Sequence, residues 1–243
     1  MSTTSESRTD NAMNKSIQKE ILVWDMPVRV FHWLMVLSFA GAYLTSESER
    51  WRLLHATLGY TMAGLVIFRI LWGLIGTRYA RFSNFVRGPG VVKRYIETLL
   101  RGRPEHHTGH NPAGALAIIA LLGLTLVVAL TGWITYYGIG NNQLEDAHEA
   151  AANVMLAIVL VHIAGVALAS WLHRENLVFA MFSGRKSGKP SEGIRNARRS
   201  VAVLMIVAVL GFLATQWRNA PSGADQSVAT AKAADHDRDN DDD

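Results

Sequence analysis

Residues 147–168 read AHEAAANVMLAIVLVHIAGVAL. From Ala150 to His173 the chain carries no Asp, Glu, Lys or Arg. At about 1.5 Å rise per residue, a helix over that stretch is long enough to cross a hydrocarbon core of ~30 Å. The segment holds two histidines, His148 and His162, fourteen positions apart. Fourteen residues are close to four helical turns, so both imidazoles project from one face, separated by ~21 Å along the axis. A titratable side chain is costly inside a bilayer, and two on one face ask for a function.

Four further apolar blocks flank this one. They run from Val30 to Ser46, Leu53 to Thr77 (broken by Arg69), Ala113 to Tyr137 and Val201 to Trp217. Each is of membrane-spanning length. Trp24, Trp33, Tyr43, Trp51, Trp72, Tyr136, Tyr137, Trp171 and Trp217 cluster near block ends, as interfacial aromatics do. The expected class is therefore all-α: an integral membrane bundle with five spans. The expected organisation is a disordered polar arm over 1–20, a membrane domain over 21–184, a basic linker and fifth span over 185–217, and an acidic tail over 218–243. A short interfacial helix is expected around Val91 to Leu100.

Hydrophobic residues make up 49% and charged residues 18% of the 243-residue chain. There is no cysteine, which excludes disulfides, Cys-ligated iron–sulfur clusters and covalent C-x-x-C-H haem. The pI near 9.5 comes from three basic segments: the N-terminal arm, Arg78 to Arg103, and Arg174 to Arg199. All three fall on one side of a five-span topology. Between Gly138 and Glu149 there is no Lys or Arg, and after Trp217 three basic residues face seven aspartates. The positive-inside rule then places the N-terminus in the cytoplasm and the tail outside a bacterial inner membrane. Lipid, not nucleic acid, is the partner that this charge pattern implies.

Depth pairs the histidines. His55 and His148 both lie toward the outer side, and they face each other if the second and fourth spans approach. His32 and His162 lie toward the cytoplasmic side. Each pair offers one imidazole to either face of a porphyrin, and with no cysteine present any haem is b-type. Two strong protein ligands leave no open position on iron, so the expected role is electron transfer. Arg69 lies fourteen residues after His55 and is a candidate partner for haem propionates; the alternative is an arginine that snorkels to the interface. Gly41, Gly59, Gly64, Gly123, Gly132 and Gly165 let either a flat macrocycle or a neighbouring helix approach. His106, His107 and His110, in the loop PEHHTGHNP (104–112), read as solvated loop residues, the alternative being a role near a haem edge or quinone head group. His173 reads as interfacial and His236 as inert.

The stretches VWDMPVRVFHWLMV (23–36), LLHATLGYTMAGLVIFRILWG (53–73) and residues 147–168, with GHNP (109–112) and ENLVFAMFSG (175–184), resemble bacterial cytochrome b561 and the b-type cytochrome subunits of nickel–iron hydrogenases. The resemblance spans about residues 20–184. It implies a four-helix core with two haem b groups, ligated by His32, His55, His148 and His162, passing electrons between quinones and a partner redox protein. That partner would be a c-type cytochrome or a dehydrogenase or hydrogenase subunit. The fifth span and acidic tail depart from the four-helix pattern.

Two other functions compete. Some relatives of this kind resemble oxidases of superoxide that reduce quinone; these call for an external basic funnel, for which only Arg50 and Arg52 are available. A non-haem transporter predicts internal repeats and a polar midplane site, neither of which is evident in the sequence.

Overall fold

The computed structural model describes residues 19–102, 107–139 and 142–219. The arm up to residue 18, His106, and the tail from residue 220 with His236 lie outside these residues. Five helices have the length and composition to cross a membrane. They are α1 (Met26–Leu44), α2 (Arg52–Ile75), α5 (Pro112–Tyr136), α6 (Asn142–His173) and α8 (Arg199–Arg218). Between them lie α3 (Phe82–Phe85), α4 (Pro89–Leu100) and α7 (Leu177–Ser183), and a two-stranded ribbon of β1 (Lys19–Leu22) and β2 (Arg185–Gly188). The chain divides into two compact units, one ending at Ile206 and the other beginning at Val207. In the second, the described residues are the remainder of α8 and Asn219.

The spans begin and end close to where the hydropathy pattern puts them, and α4 matches the expected interfacial helix. The exception is α6, which starts eight residues before Ala150. Asn142 to Glu149 reads as a loop by hydropathy, yet Glu145 lies in the first turn, where a carboxylate favours the positive end of the helix dipole. His148 is consequently well inside the helix and not at its start.

Proline and capping residues fix where helices begin. Asp25 accepts from Val28 N at 2.9 Å and caps α1 ahead of Pro27; Asn111 accepts from Gly114 N at 2.7 Å and caps α5 ahead of Pro112. Within the spans, threonine hydroxyls donate back to the carbonyl one turn earlier: Thr57 to Leu53, Thr61 to Thr57 and Thr125 to Leu121. These three hydroxyls are thus satisfied within their own helices in an apolar surround. Leu37, Leu44, Leu74, Val161 and Trp171 are exposed, a surface suited to hydrocarbon.

The tightly packed helix pairs are α1–α2, α2–α5 and α5–α6, with α4 lying on α5. Among the described residues α6 does not pack closely on α1 or α2, although α1, α2 and α6 carry the candidate ligands.

At one end of the bundle the two strands close a small extramembrane platform. β1 and β2 pair antiparallel, Leu22 opposite Arg185 and Lys19 opposite Gly188. Ile21, Val23, Trp24 and Ala180 form its apolar core, with Tyr79 packed against them. Trp24 is therefore buried in this platform instead of lying in an interfacial belt, and the Trp72 indole donates to Asp25 at 3.0 Å. The aromatics that are exposed include Tyr137, Trp171 and Trp217. In β2, Lys186 is 6% exposed; its Nζ lies 3.3 Å from Glu175 and donates to His107 O at 3.2 Å. The other oxygen of Glu175 accepts from Ser187 N. Glu175→Ala leaves a buried ammonium without its carboxylate, so the purified protein should lose about 3 kcal/mol of stability in a detergent unfolding titration. A change under about 0.5 kcal/mol would mean the pair is solvated like an ordinary surface pair.

Candidate haem-binding site

Of the two pairs expected from depth, His55 and His148 are brought into ring contact. The His55 and His148 ring centroids are 6.1 Å apart with their planes at 75°. Each of these rings is anchored through Nδ1: His55 lies 2.8 Å from Ala42 O, and His148 lies 3.0 Å from Val128 O and 3.2 Å from Thr131 Oγ1. A carbonyl only accepts, so it holds the proton on Nδ1 and leaves the Nε2 lone pair free. This is how a metal-binding imidazole is oriented. Two metal–nitrogen bonds of about 2.0 Å, plus about 1.1 Å from each nitrogen to its ring centre, place two axial imidazoles about 6 Å apart centre to centre. The observed centroid spacing is compatible with one metal held between them.

At the other level His32 and His162 lie close enough to interact electrostatically. The Nδ1 of His32 is buried and has no hydrogen-bond partner. Its ring packs edge-on to Trp33 at 5.1 Å, and Trp33 stacks on Phe182 of α7 at 4.1 Å. The post-helix segment ENLVFAMFSG thus steadies the α1 histidine.

The glycines separate into two groups. A Cβ on Gly41 would meet Leu58 at 2.7 Å, and one on Gly132 would meet the His148 ring at 2.8 Å, so these two serve close packing. A Cβ on Gly59, one turn after His55, or on Gly165, three residues after His162, would meet nothing within 4 Å. Open space beside the ligands, a gap between the helices that carry them, and imidazole nitrogens without protein partners together fit a flat tetrapyrrole held from both faces.

Arg69 does not snorkel. It is 2% exposed, and both terminal guanidinium nitrogens are buried without a partner. Its Cζ lies 4.9 Å over the ring of Phe82, which occupies the notch left by the missing side chain of Gly73. Nearby, Asp25 is 1% exposed and accepts from Val28 N, Trp72 Nε1 and Thr77 Oγ1. The pattern Asp-x-Pro at a helix start signals its capping role, but not the two bonds it makes to α2 and the residues after it.

His110 departs most from the loop reading. Its ring lies 4.5 Å from both Trp24 and Phe85, and its Nδ1 is buried without a partner. Burial, followed by the charges of Arg69, Lys186 and His162, pushes its pKa down to about 3, so it is neutral near pH 7. A cavity of about 250 Å³ lined by Arg78, Tyr79, His107, Thr108 and Glu192, among others, opens beside it. His107 also packs against an aromatic ring, that of Tyr95 at 5.5 Å. Among the described residues no cluster of three or more His, Cys, Asp or Glu is placed to bind a free metal ion.

Residues 23–184 match the family model described as prokaryotic cytochrome b561. Curated relatives include the probable Ni/Fe-hydrogenase B-type cytochrome subunit of Rhizobium leguminosarum bv. viciae, 24% identical over 73% of this chain and 94% of its own length. The protein of that name from Rhodobacter capsulatus is 24% identical over 70% and 82%, respectively. The probable Ni/Fe-hydrogenase 1 B-type cytochrome subunit of Escherichia coli (strain K12) is 24% identical over 73% and 95%. No solved structure matches. With the match covering well over half of the sequence, and five helices apolar and long enough to cross a membrane, the chain belongs to the prokaryotic cytochrome b561 family of membrane b-type cytochromes, which carry electrons on haem.

Proposed function

We propose that the chain holds two haem b groups, one between His55 and His148 and one between His32 and His162, and conducts electrons across a bacterial inner membrane between the quinone pool and a partner redox protein. The observation that carries this reading is the geometry of the first pair: a 6.1 Å centroid separation with both Nδ1 atoms held by backbone carbonyls. When bound, such groups supply reversible one-electron chemistry. The protein's part is to fill both axial positions, keep the imidazoles in one tautomer, and exclude water with apolar helices. Arg69 offers two unpartnered donors to a porphyrin carboxylate. The two histidines of α6, ~21 Å apart along its axis, set the two centres at different membrane depths.

The relatives are named as hydrogenase cytochrome subunits, which supports a hydrogenase as partner; a dehydrogenase subunit or a c-type cytochrome fits the same chemistry. The distribution of basic segments supports an N-terminus in the cytoplasm and a C-terminal tail in the periplasm. The superoxide-oxidising alternative needs converging external cations. Arg50 instead lies over Trp51 and Arg52 over Tyr136, with Arg52 4.0 Å from Glu49.

A pyridine haemochrome assay on protein purified from haem-replete cells should give two haem b per chain. A colourless preparation, or a single haem per chain, would overturn the two-centre assignment.

A further inference from the structure

The buried donors near the His32–His162 pair carry more than the ligand assignment uses. The Arg69 guanidinium is enclosed, and neither terminal nitrogen has a protein acceptor. Asp25 is the carboxylate whose charge acts on it, but the Asp25 oxygens are taken by Val28 N, Trp72 and Thr77. An unpaired buried cation is costly, so a second anion is called for. His110 supplies the other unpartnered donor. Phe82 beneath Arg69 contacts Phe85 at 5.7 Å, Phe85 contacts His110 at 4.5 Å, and Trp24 also contacts His110 at 4.5 Å. The charges of Arg69 and His162 both act on the His110 ring. One aromatic cluster thus brings together a guanidinium and an imidazole whose buried nitrogens have no protein partner.

Lysine cannot play the His110 role here. Lys186, the nearby ammonium, is already committed to Glu175 and His107 O. A neutral imidazole with its proton on Nδ1 donates one bond without adding another buried charge beside Arg69. A cation paired with a neutral donor matches a carboxylate, which carries one charge and several acceptor lone pairs.

We infer that His110 is a cofactor-binding residue, which together with Arg69 grips one carboxylate of the porphyrin held by His32 and His162. This rests on the haem assignment above for that pair. His110→Phe keeps the ring packed against Trp24 and Phe85 and removes the donor, while His110→Gln retains a donor of similar reach. In full-length protein purified in detergent, three quantities are read for these variants, Arg69→Gln and Arg69→Gln/His110→Phe. They are haem per chain, the midpoint potential of each centre, and the propionate bending band in the resonance Raman spectrum.

Losing either donor leaves the carboxylate charge less compensated and favours the ferric form. His110→Phe and Arg69→Gln should each lower the potential of one centre, the one missing from His162→Ala, and each should move the propionate band. The double variant should shift less than the sum, because both donors serve one group, and His110→Gln should recover much of the wild-type potential. The inference is overturned if His110→Phe moves neither band nor potential, if it moves the centre that survives in His162→Ala, or if the two shifts add fully. Should His162→Ala retain all its haem, the failure lies with the ligand assignment and not with the grip on the carboxylate.

Discussion

His148→Ala should halve the haem content of the purified protein and abolish one of its two redox transitions. Three features make the loss nearly complete. His148 faces His55 across 6.1 Å, its Nδ1 is fixed by Val128 O, and Gly132 leaves room for its ring where any Cβ would collide. Alanine leaves a cavity at the ring position and a five-coordinate site at best, and nothing else in the described structure is placed to substitute. Pyridine haemochrome quantitation and a redox titration of the reduced α-band check this directly. Adding free imidazole to the alanine variant should restore much of the missing centre, since the space vacated is imidazole-shaped. If two haems per chain persist without rescue, His148 is not a ligand.

Asp25→Ala should destabilise the bundle by about 3–6 kcal/mol. Three donors lose their acceptor at once: Val28 N in the first turn of α1, the Trp72 indole near the end of α2, and the Thr77 hydroxyl. A stranded buried donor costs about 1–3 kcal/mol, and a lost helix cap about 1 kcal/mol. For a chain of this size that amounts to a fall in Tm of about 10 °C or more, measurable by circular dichroism in detergent. Asp25→Asn keeps an acceptor oxygen for the cap and should recover part of the loss. A Tm within 2 °C of wild type for Asp25→Ala would show that water replaces the carboxylate.

The spans were legible because a bilayer imposes a length and a composition that local sequence cannot hide. The approach of His55 to His148 was legible for a related reason: helical pitch and depth put these two positions at one level without knowledge of packing. What stayed hidden depends on residues distant in sequence. KEIL and RKSG show no alternation that would mark them as strands, and each is extended because the other is there. His110 reads as a loop histidine because its loop is polar; Trp24 and Phe85, which enclose it, come from elsewhere in the chain. The early start of α6 is a local effect, but a hydropathy window weights the carboxylates as breakers and misses their favourable place at a helix N-terminus. The packing glycines and the glycines on open space are chemically identical, and only neighbouring atoms distinguish Gly132 from Gly59.

The β1–β2 ribbon also bears on biogenesis. Lys19–Leu22 leaves the ribosome before any span is made, whereas Arg185–Gly188 emerges after α6. The first strand must therefore wait, unpaired, through insertion of four transmembrane segments. Closing the platform is a late step that reports that those segments have arrived in the right order.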